Sequence, residues 1–183
     1  MKHIALLRAV NLAGYNKISM ADLKSLLAGL GFADAQTLLQ SGNVVFSGGS
    51  KTTTALEETL ERAAAKTLGL ETSFFVRTAR DWQAIIEGNP FPREAKDDPG
   101  HLLAVITKDA VETANVTALQ KAIVGREVVR AKGRCAYVVY PDGVGRSKLT
   151  SALIEKKLGT RGTARNWNTV LKLSALASGE ALA

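Results

Sequence analysis

The alternation of apolar and polar positions predicts a series of short strands and amphipathic helices in the first part of the chain. Four leucines with helical spacing follow Ser19, which is a suitable N-cap, and a short apolar run at residues 3–8 is typical of a buried strand. The pattern predicts, in order, a strand at 3–8, a helix at 19–30, a hairpin at 35–46, a helix at 54–68 and a strand at 72–78. This order, β-α-β-β-α-β, is that of a ferredoxin-like unit.

The second part of the chain repeats most of this order after a short helix and a proline-rich segment. The elements predicted there are a strand at 101–107, a helix at 111–123, a hairpin at 127–140, a helix ending at 158 and a last helix at 165–176. A closing strand is not predicted, so the second part is expected to be βαββα plus a C-terminal helix. We therefore predict an α+β protein with a ferredoxin-like half at 1–78, a helix and linker at 79–100, and a second half at 101–183.

Similar residues recur at a nearly constant distance and predict an internal duplication. His101 lies 98 residues after His3, and both open apolar strands. Lys148 lies 97 residues after Lys51, and a glycine-containing turn precedes each lysine while an Ala-Leu pair follows it. A repeat of this length, present in two copies, predicts two similar halves rather than a solenoid.

Charge is unevenly distributed along the chain. The net charge is +7, and residues 126–173 alone contain eleven Lys or Arg and three Asp or Glu, so this segment is expected to face an anionic partner if it has one. A basic solvated surface is the alternative. The single cysteine, Cys135, excludes an intramolecular disulfide, and no apolar run approaches the length of a membrane span, so we expect a cytoplasmic protein with no membrane partner.

The turn after the strand at 135–140 is the principal candidate site. Its residues Gly143, Gly145, Arg146, Ser147 and Lys148 precede a predicted helix, where unpaired N–H groups favour anions. The G-x-x-x-x-G-K-[ST] phosphate-binding pattern is not satisfied. The alternative is an ordinary strand-to-helix turn with Ser147 as the N-cap. The equivalent turn with Gly48, Gly49 and Lys51 is a weaker candidate because three glutamates follow it.

Two further groups are candidate ligand-binding residues, each with a structural alternative. Arg165 could complete an anion clamp with Arg146 and Lys148 because guanidinium binds carboxylate and phosphate in a bidentate manner, while Asn166 and Asn168 beside it could contact a ligand or cap a helix. Arg8, Asn11 and Lys17 belong to the loop that follows the first strand, where asparagines also suit turn geometry.

Neither a metal site nor a catalytic set is predicted. The chain has two histidines and one cysteine, so zinc ligation is not expected, and His3 and His101 are interpreted as strand residues. Asp97 and Asp98 are interpreted as loop charges. We name no nucleophile or general base and expect no cofactor, and the sequence leaves open whether the protein is an enzyme.

Several motifs together resemble one bacterial family. The segments LLRAVNLAGYNKISMADLKSLLAGLGF, LQSGNVVFS, NPFP, YPDGVGRSKLT and TARNWNTVLKL are similar to those of the family called domain of unknown function 1697. The resemblance covers nearly the whole chain and implies two ferredoxin-like halves in one subunit, with no implied activity. In this chain Ala9 and Ala13 stand where the family usually has glycines, which weakens any phosphate-binding interpretation of the first loop.

Three classes of function remain open from the sequence. The first is binding of a small phosphorylated or carboxylated ligand at the basic turn. The second is nucleic-acid binding. Residues 132–140 only partly match an RNA-recognition strand, with Cys135 at its first aromatic position, so phosphate contacts rather than base stacking would have to supply most of the affinity. The third is a structural or interaction protein without a ligand. Ligand identity and oligomeric state are not predicted.

Overall fold

The chain forms two compact units. The computed structural model describes residues 1–8, 18–39 and 41–180. The first unit comprises Met1–Gln83 with Lys172–Ala183, and the second comprises Ala84–Leu171. Each unit is described separately below.

The first unit contains a four-stranded antiparallel sheet with two helices packed on one face. Its elements are β1 (Lys2–Leu7), α1 (Met20–Gly29), β2 (Gln36–Leu38), β3 (Asn43–Ser47), α2 (Thr53–Leu68) and β4 (Phe74–Thr78). The strands lie in the order β2-β3-β1-β4. This is the order that the β-α-β-β-α-β pattern predicts, and it confirms the ferredoxin-like arrangement.

The apolar faces of the strands and of the two helices pack together in the core of the first unit. Ala5 and Leu7 of β1 lie on the face that the helices cover, where they pack with Leu23 of α1 and Leu60 of α2. All four side chains are almost completely buried. Burial of a leucine of this kind contributes about 1.5–3 kcal/mol to folding.

The second unit repeats this arrangement. Along the chain, α3 (Ala79–Glu87) and α4 (Pro92–Asp97) follow β4 and precede the strands of the second sheet. The predicted linker therefore contains a short helix, α4, with proline in its first turn. The elements that follow are β5 (Leu102–Thr107), α5 (Thr113–Ala122), β6 (Val128–Lys132), β7 (Cys135–Val139), α6 (Ser151–Leu158), β8 (Gly162–Asn166) and α7 (Trp167–Ser178). The strands lie in the order β6-β7-β5-β8, which matches the first sheet.

The prediction that the second half lacks a closing strand is wrong. β8 pairs antiparallel with β5, with Ala164 opposite Val105 and Arg165 opposite Ala104, and α7 begins at Trp167 rather than at residue 165. The pattern of the sequence did not indicate this strand because Ala164 is its only apolar side chain, so the alternation is weak.

In α2 and α6, equivalent residues of the two halves are 98 positions apart in the sequence. Thr52 caps α2 by accepting a hydrogen bond from the Ala55 amide, and Thr150 caps α6 by accepting one from the Leu153 amide. The predicted alignment of Lys51 with Lys148 is therefore shifted by one residue. Glu57 of α2 accepts a hydrogen bond from the Val76 amide of β4.

Side chains of the protein cover the outer edges of β4 and β6. The Val76 amide on β4 donates to Glu57 Oε1 at 2.8 Å, and the Val76 carbonyl accepts from the Arg77 guanidinium at 2.7 Å. On β6 the Val129 amide donates to Gln120 Oε1 at 2.8 Å, and its carbonyl accepts from Arg130 at 2.8 Å. Main-chain groups bonded in this way are not available to pair with another strand.

The edge of β8 is covered in the same manner. The Gly162 amide donates to Glu155 Oε1 of α6 at 3.0 Å, and the Ala164 carbonyl accepts from the Arg165 guanidinium at 2.8 Å. Glu155 lies 98 residues after Glu57, so the two acidic side chains hold equivalent edges.

Within the described ranges of the chain, no helix combines the length and the apolarity needed to cross a membrane.

Candidate anion-binding site

The strand order of the second unit brings three chain segments to one end of its sheet. β7 and β8 both run antiparallel to β5, which lies between them, so their C-terminal ends lie beside the N-terminal end of β5. The segments are residues 98–101 before β5, residues 140–150 after β7 and residues 166–168, which join the end of β8 to the start of α7. We call these residues the second corner.

The glycine-rich turn is folded around its own main-chain hydrogen bonds. Gly143 has φ +83° and ψ 150°, a backbone conformation that essentially only glycine adopts. The amides of Gly143, Arg146 and Ser147 donate to the carbonyls of Tyr140, Gly143 and Val144, and residues Val144–Arg146 form a 3-10 turn. The amides of these three residues are therefore already engaged and do not point into a ligand cradle.

Ser147 is held by an acidic side chain and does not cap α6. Its hydroxyl donates to Glu127 Oε1 and accepts from the Leu149 amide at 2.9 Å. The N-cap of α6 is Thr150, so the prediction of Ser147 as the cap is wrong. The loop before the helix is therefore longer than the sequence indicated. The side chain that binds Ser147 comes from a segment 20 residues earlier, which sequence spacing does not reveal.

Beneath the turn lie a buried tyrosine and the buried Glu127. Tyr140 is 3% exposed, and its hydroxyl donates to the Leu149 carbonyl at 3.4 Å. Burial, with a smaller contribution from the charge of Glu127, raises the pKa of Tyr140 to about 12. Tyr140 is therefore a neutral supporting residue at physiological pH.

Arg146 and Lys148 are the two exposed cations of the turn. Neither side chain forms a hydrogen bond or ion pair with other residues in the described part of the chain. By contrast, Arg126 forms a two-pronged contact with Asp142, with Nε 3.0 Å from Oδ2. Hydrogen bonding to Arg126, together with the charges of Arg126 and Arg146, holds the pKa of Asp142 below its usual value.

Arg165 lies within the sheet. Its side chain is buried, and Nη1 donates to Thr163 Oγ1 at 2.9 Å and to the Ala164 carbonyl. Burial lowers the pKa of Arg165 to about 10. The predicted clamp of three cations is therefore reduced to two at the protein surface.

The other residues after β8 have mainly structural contacts. Asn166 Oδ1 accepts from the Thr169 amide at 3.0 Å and from its hydroxyl at 3.1 Å, as a helix cap does. Trp167 is buried, and its ring centroid lies 6.3 Å from that of Tyr137. Asn168 is exposed in the first turn of α7.

The remaining candidates are distributed elsewhere. Arg8 follows β1 in the first unit, where its amide donates to the Ser73 carbonyl and its carbonyl accepts from Thr72. Asn11 and Lys17 lie outside the described residues. Gly145 is exposed, and a side chain added there would meet no atom within 4 Å.

Tyr137, the aromatic residue of β7, offers no stacking surface. Tyr137 is 1% exposed, and its hydroxyl donates to the Ile85 carbonyl at 2.7 Å. Burial raises its pKa well above the usual value. Base stacking on this strand, as in RNA-recognition motifs, would require side chains that face solvent.

Sequence reasoning missed one pair of polar residues at the second corner. Asp98 Oδ2 lies 2.8 Å from His101 Nδ1, and both side chains are partly exposed. The signal was present, since Asp98 and His101 flank a Pro-Gly turn that brings residues three apart together. Among residues 1–8, 18–39 and 41–180, no cluster of three or more His, Cys, Asp or Glu has the arrangement of a metal site.

Comparisons with known proteins identify the fold and the family. The structure of a conserved bacterial protein from Streptococcus pneumoniae is similar to this chain, with a TM-score of 0.74 and 21% identity over 96% of this chain and 98% of that one. At this identity the likeness supports the fold alone. Among curated proteins, none matches the sequence. The family model described as protein of unknown function, DUF1697, matches residues 1–137, which confirms the resemblance: the chain belongs to this family.

Proposed function

We propose that the second corner binds a small phosphorylated or carboxylated ligand through Arg146 and Lys148. The observation that carries this proposal is the difference between paired and unpaired charges around the turn. Asp142 is paired with Arg126, and Glu127 is bonded to Ser147, while Arg146 and Lys148 extend into solvent. A ligand anion would therefore find two cations whose charge is not already used in a hydrogen bond.

Side chains, rather than the main chain, supply the affinity in this proposal. The turn amides of Gly143, Arg146 and Ser147 are engaged, so the site differs from a glycine-rich phosphate loop, in which amides surround the anion. Arginine binds phosphate or carboxylate through two parallel hydrogen bonds, and lysine adds a point charge. Gly143 and Gly145 contribute by giving the turn its shape.

Nucleic-acid binding is the second candidate function, supported by the excess positive charge of residues 126–173. Because Tyr137 and Tyr140 are buried, such binding would rest on phosphate contacts alone. Its affinity would then fall steeply with salt. A protein without a ligand is the third candidate.

We further propose that the two halves arose by internal duplication and that the protein is cytoplasmic. The equivalent caps Thr52 and Thr150 and the equivalent edge residues Glu57 and Glu155, each 98 residues apart, support the duplication. The single cysteine, Cys135, is buried and forms no disulfide, which suits a cytoplasmic protein.

Titration with inorganic phosphate and with citrate tests the proposed site. We expect both anions to raise the melting temperature of the wild type, since a ligand that binds only the folded state stabilises it. Arg146→Ala/Lys148→Ala should weaken binding about tenfold or more, because hydrogen bonds to charged groups contribute roughly 1.5–3 kcal/mol each. Calorimetry would measure the dissociation constants.

The matched control is Lys24→Ala/Lys66→Ala, which removes the same charge from exposed positions of the first unit. Equal weakening by both double variants would show a general charge effect and contradict a specific site. Stabilisation by oligonucleotides alone, lost at moderate salt, would support the nucleic-acid function instead. If no anion changes either protein, the function without a ligand is favoured.

A further inference from the structure

The Asp98–His101 pair is the feature of the second corner that the proposed anion site does not explain. His101 Nδ1 lies 2.8 Å from Asp98 Oδ2, and the two side chains are 45% and 56% exposed. A pair that is only partly exposed and has defined geometry can contact both the protein and a ligand. No other histidine of the chain contacts a carboxylate within hydrogen-bond distance in the described residues.

The main chain holds this pair in position from two sides. The His101 amide donates to the Asp98 carbonyl at 3.1 Å, which closes the turn through Pro99 and Gly100. The Pro99 carbonyl accepts from the Trp167 amide at 3.1 Å, which fastens the turn to the start of α7. Because proline restricts φ and both ends are bonded, the main chain keeps Asp98 and His101 close together, within reach of each other's side chains.

The pairing determines which ring nitrogen faces a ligand. A carboxylate accepts a hydrogen bond, so Nδ1 of the neutral ring carries the proton and Nε2 carries the lone pair. Asp98 therefore makes Nε2 an acceptor for a hydroxyl group. Asp98 is a positioning residue in this arrangement.

Gly143 leaves Nε2 uncovered. A side-chain carbon added at Gly143 would lie 3.4 Å from His101 Nε2 and 3.9 Å from Cδ2, so the turn passes directly beside this nitrogen. A larger residue would cover it, and the φ and ψ of Gly143 already disfavour one. The acceptor nitrogen thus belongs to the same surface as the turn that carries Arg146 and Lys148.

We propose that His101 Nε2 accepts a hydrogen bond from a hydroxyl group of the ligand, so that the second corner selects small anions that also carry a hydroxyl. This inference rests on the proposed function, in which Arg146 and Lys148 hold the anionic group. The ligand class is then a hydroxylated phosphate or carboxylate. Asp98 maintains the tautomer of His101 that makes this selection.

Calorimetric titration at pH 8 with inorganic phosphate, glycerol 3-phosphate and glycerol tests the inference. The wild type should bind glycerol 3-phosphate about three- to tenfold more tightly than phosphate, the gain expected of one additional neutral hydrogen bond. Glycerol alone should not bind. His101→Phe should lose this preference, so that it binds the two anions equally, and Arg146→Ala/Lys148→Ala should weaken the binding of both anions.

The outcomes separate the two proposals. Equal binding of both anions by the wild type, or a preference that survives His101→Phe, would overturn the role of His101 and leave the anion site standing. Binding of neither anion would overturn both.

An NMR measurement of the imidazole nitrogens tests the tautomer without a ligand. The chain has only two histidines, so His101→Phe assigns the signals. We expect the neutral His101 ring to carry its proton on Nδ1 in the wild type and to lose this preference in Asp98→Ala. A proton on Nε2 in the wild type would overturn the proposal.

Discussion

Two histidines in equivalent positions have opposite surroundings in the two halves. We call residues 1–3 and 48–51 the first corner. His3 belongs to this first corner, and His101 belongs to the second corner. His3 is fully buried, its ring is stacked on Phe46, and its Nδ1 is 3.1 Å from the Met1 carbonyl. His101 is partly exposed and paired with Asp98. The same strand position therefore serves packing in one half and faces solvent in the other.

The glycines beside the two histidines also differ in how much space surrounds them, with less space in the first half. A side-chain carbon at Gly48 would lie 2.7 Å from His3 Nδ1 and 2.9 Å from Leu56 Cδ1, whereas one at Gly143 would lie 3.4 Å from His101. Between the third strand and the helix cap lie residues 48–51 in the first half and the longer stretch 140–149 in the second. The longer loop and the Asp98 turn open the second corner, while the short loop closes the first over its histidine.

The largest expected difference between the halves concerns the equivalent edge residues Glu57 and Glu155. Glu57 is buried, accepts from the Val76 amide and lies 3.5 Å from the buried Arg77 guanidinium, so Glu57→Ala should lower the free energy of unfolding by about 3–5 kcal/mol. Glu155 also accepts from an edge amide, that of Gly162, but it is only half-buried and water can replace part of what is lost, so Glu155→Ala should cost less, about 1 kcal/mol. Urea unfolding of both variants measures the difference.

Glu58→Ala is the control for this comparison, because Glu58 is exposed beside Glu57 on the same helix. It should change the free energy of unfolding by less than about 0.5 kcal/mol. Equal losses for Glu57→Ala and Glu155→Ala would show that the two edges are held equally strongly and would contradict the expected difference.

The closed first corner should be sensitive to a single methyl group. Gly48→Ala forces its new carbon against the His3 ring and Leu56, and overpacking of this kind costs about 1–3 kcal/mol. Gly145→Ala in the open second corner is the matched substitution, since it meets no atom within 4 Å, and it should be close to neutral. Chemical denaturation of both variants would decide the matter, and a neutral Gly48→Ala would mean that the first corner can expand.

The buried histidine should make stability depend on pH. Burial is the largest influence on His3 and lowers its pKa from the usual 6.5, so the native state resists protonation that the unfolded chain accepts. Stability is then retained above pH 6.5 and falls as the pH drops below it, by up to about 1.4 kcal/mol per pH unit until the native pKa is reached.

The pH effect is isolated by comparing variants between pH 7 and pH 5. His3→Phe should remove this part of the slope in urea-unfolding experiments, and His101→Phe should preserve it, because that variant leaves His3 in place. A slope that His3→Phe leaves unchanged would assign the pH dependence to other groups.

The fold was predictable where large apolar side chains repeat with a regular period. Leu23, Leu26 and Leu27 of α1 are all buried, as their spacing predicts, and the same logic located most other elements. The pattern failed at β8, where Thr163 and Arg165 face one side of the strand and Ala164 the other. A short strand that buries an arginine is defined by its pairing with β5, which is tertiary information.

The sequence indicated which turn carries the candidate cations, but not which groups around that turn are already paired. Its glycines and cations identified the turn at residues 143–148. The partners that decide which groups remain available come from elsewhere in the chain: Glu127 binds Ser147, and Arg126 binds Asp142. Such pairs depend on how α5, β6 and β7 are arranged, so sequence spacing alone could not separate Arg146 from Arg126.

The smallest expected effect tests a feature that the two halves share. Thr52 and Thr150 accept from Ala55 and Leu153 amides, each at 3.2 Å, and removal of such a cap costs about 1 kcal/mol. Thr52→Ala and Thr150→Ala should therefore lower the free energy of unfolding by similar amounts, measured by urea titration. Ser151→Ala, which changes an exposed residue just after the second cap, is the control and should have little effect.

A Thr150→Ala variant as stable as the wild type would contradict this equivalence and return the capping role to Ser147. Equal losses at Thr52 and Thr150 would instead indicate that the halves are matched where the helices begin. The difference between the corners would then lie outside the helix caps, in the longer loop that carries Arg146 and Lys148 and in the turn that pairs Asp98 with His101.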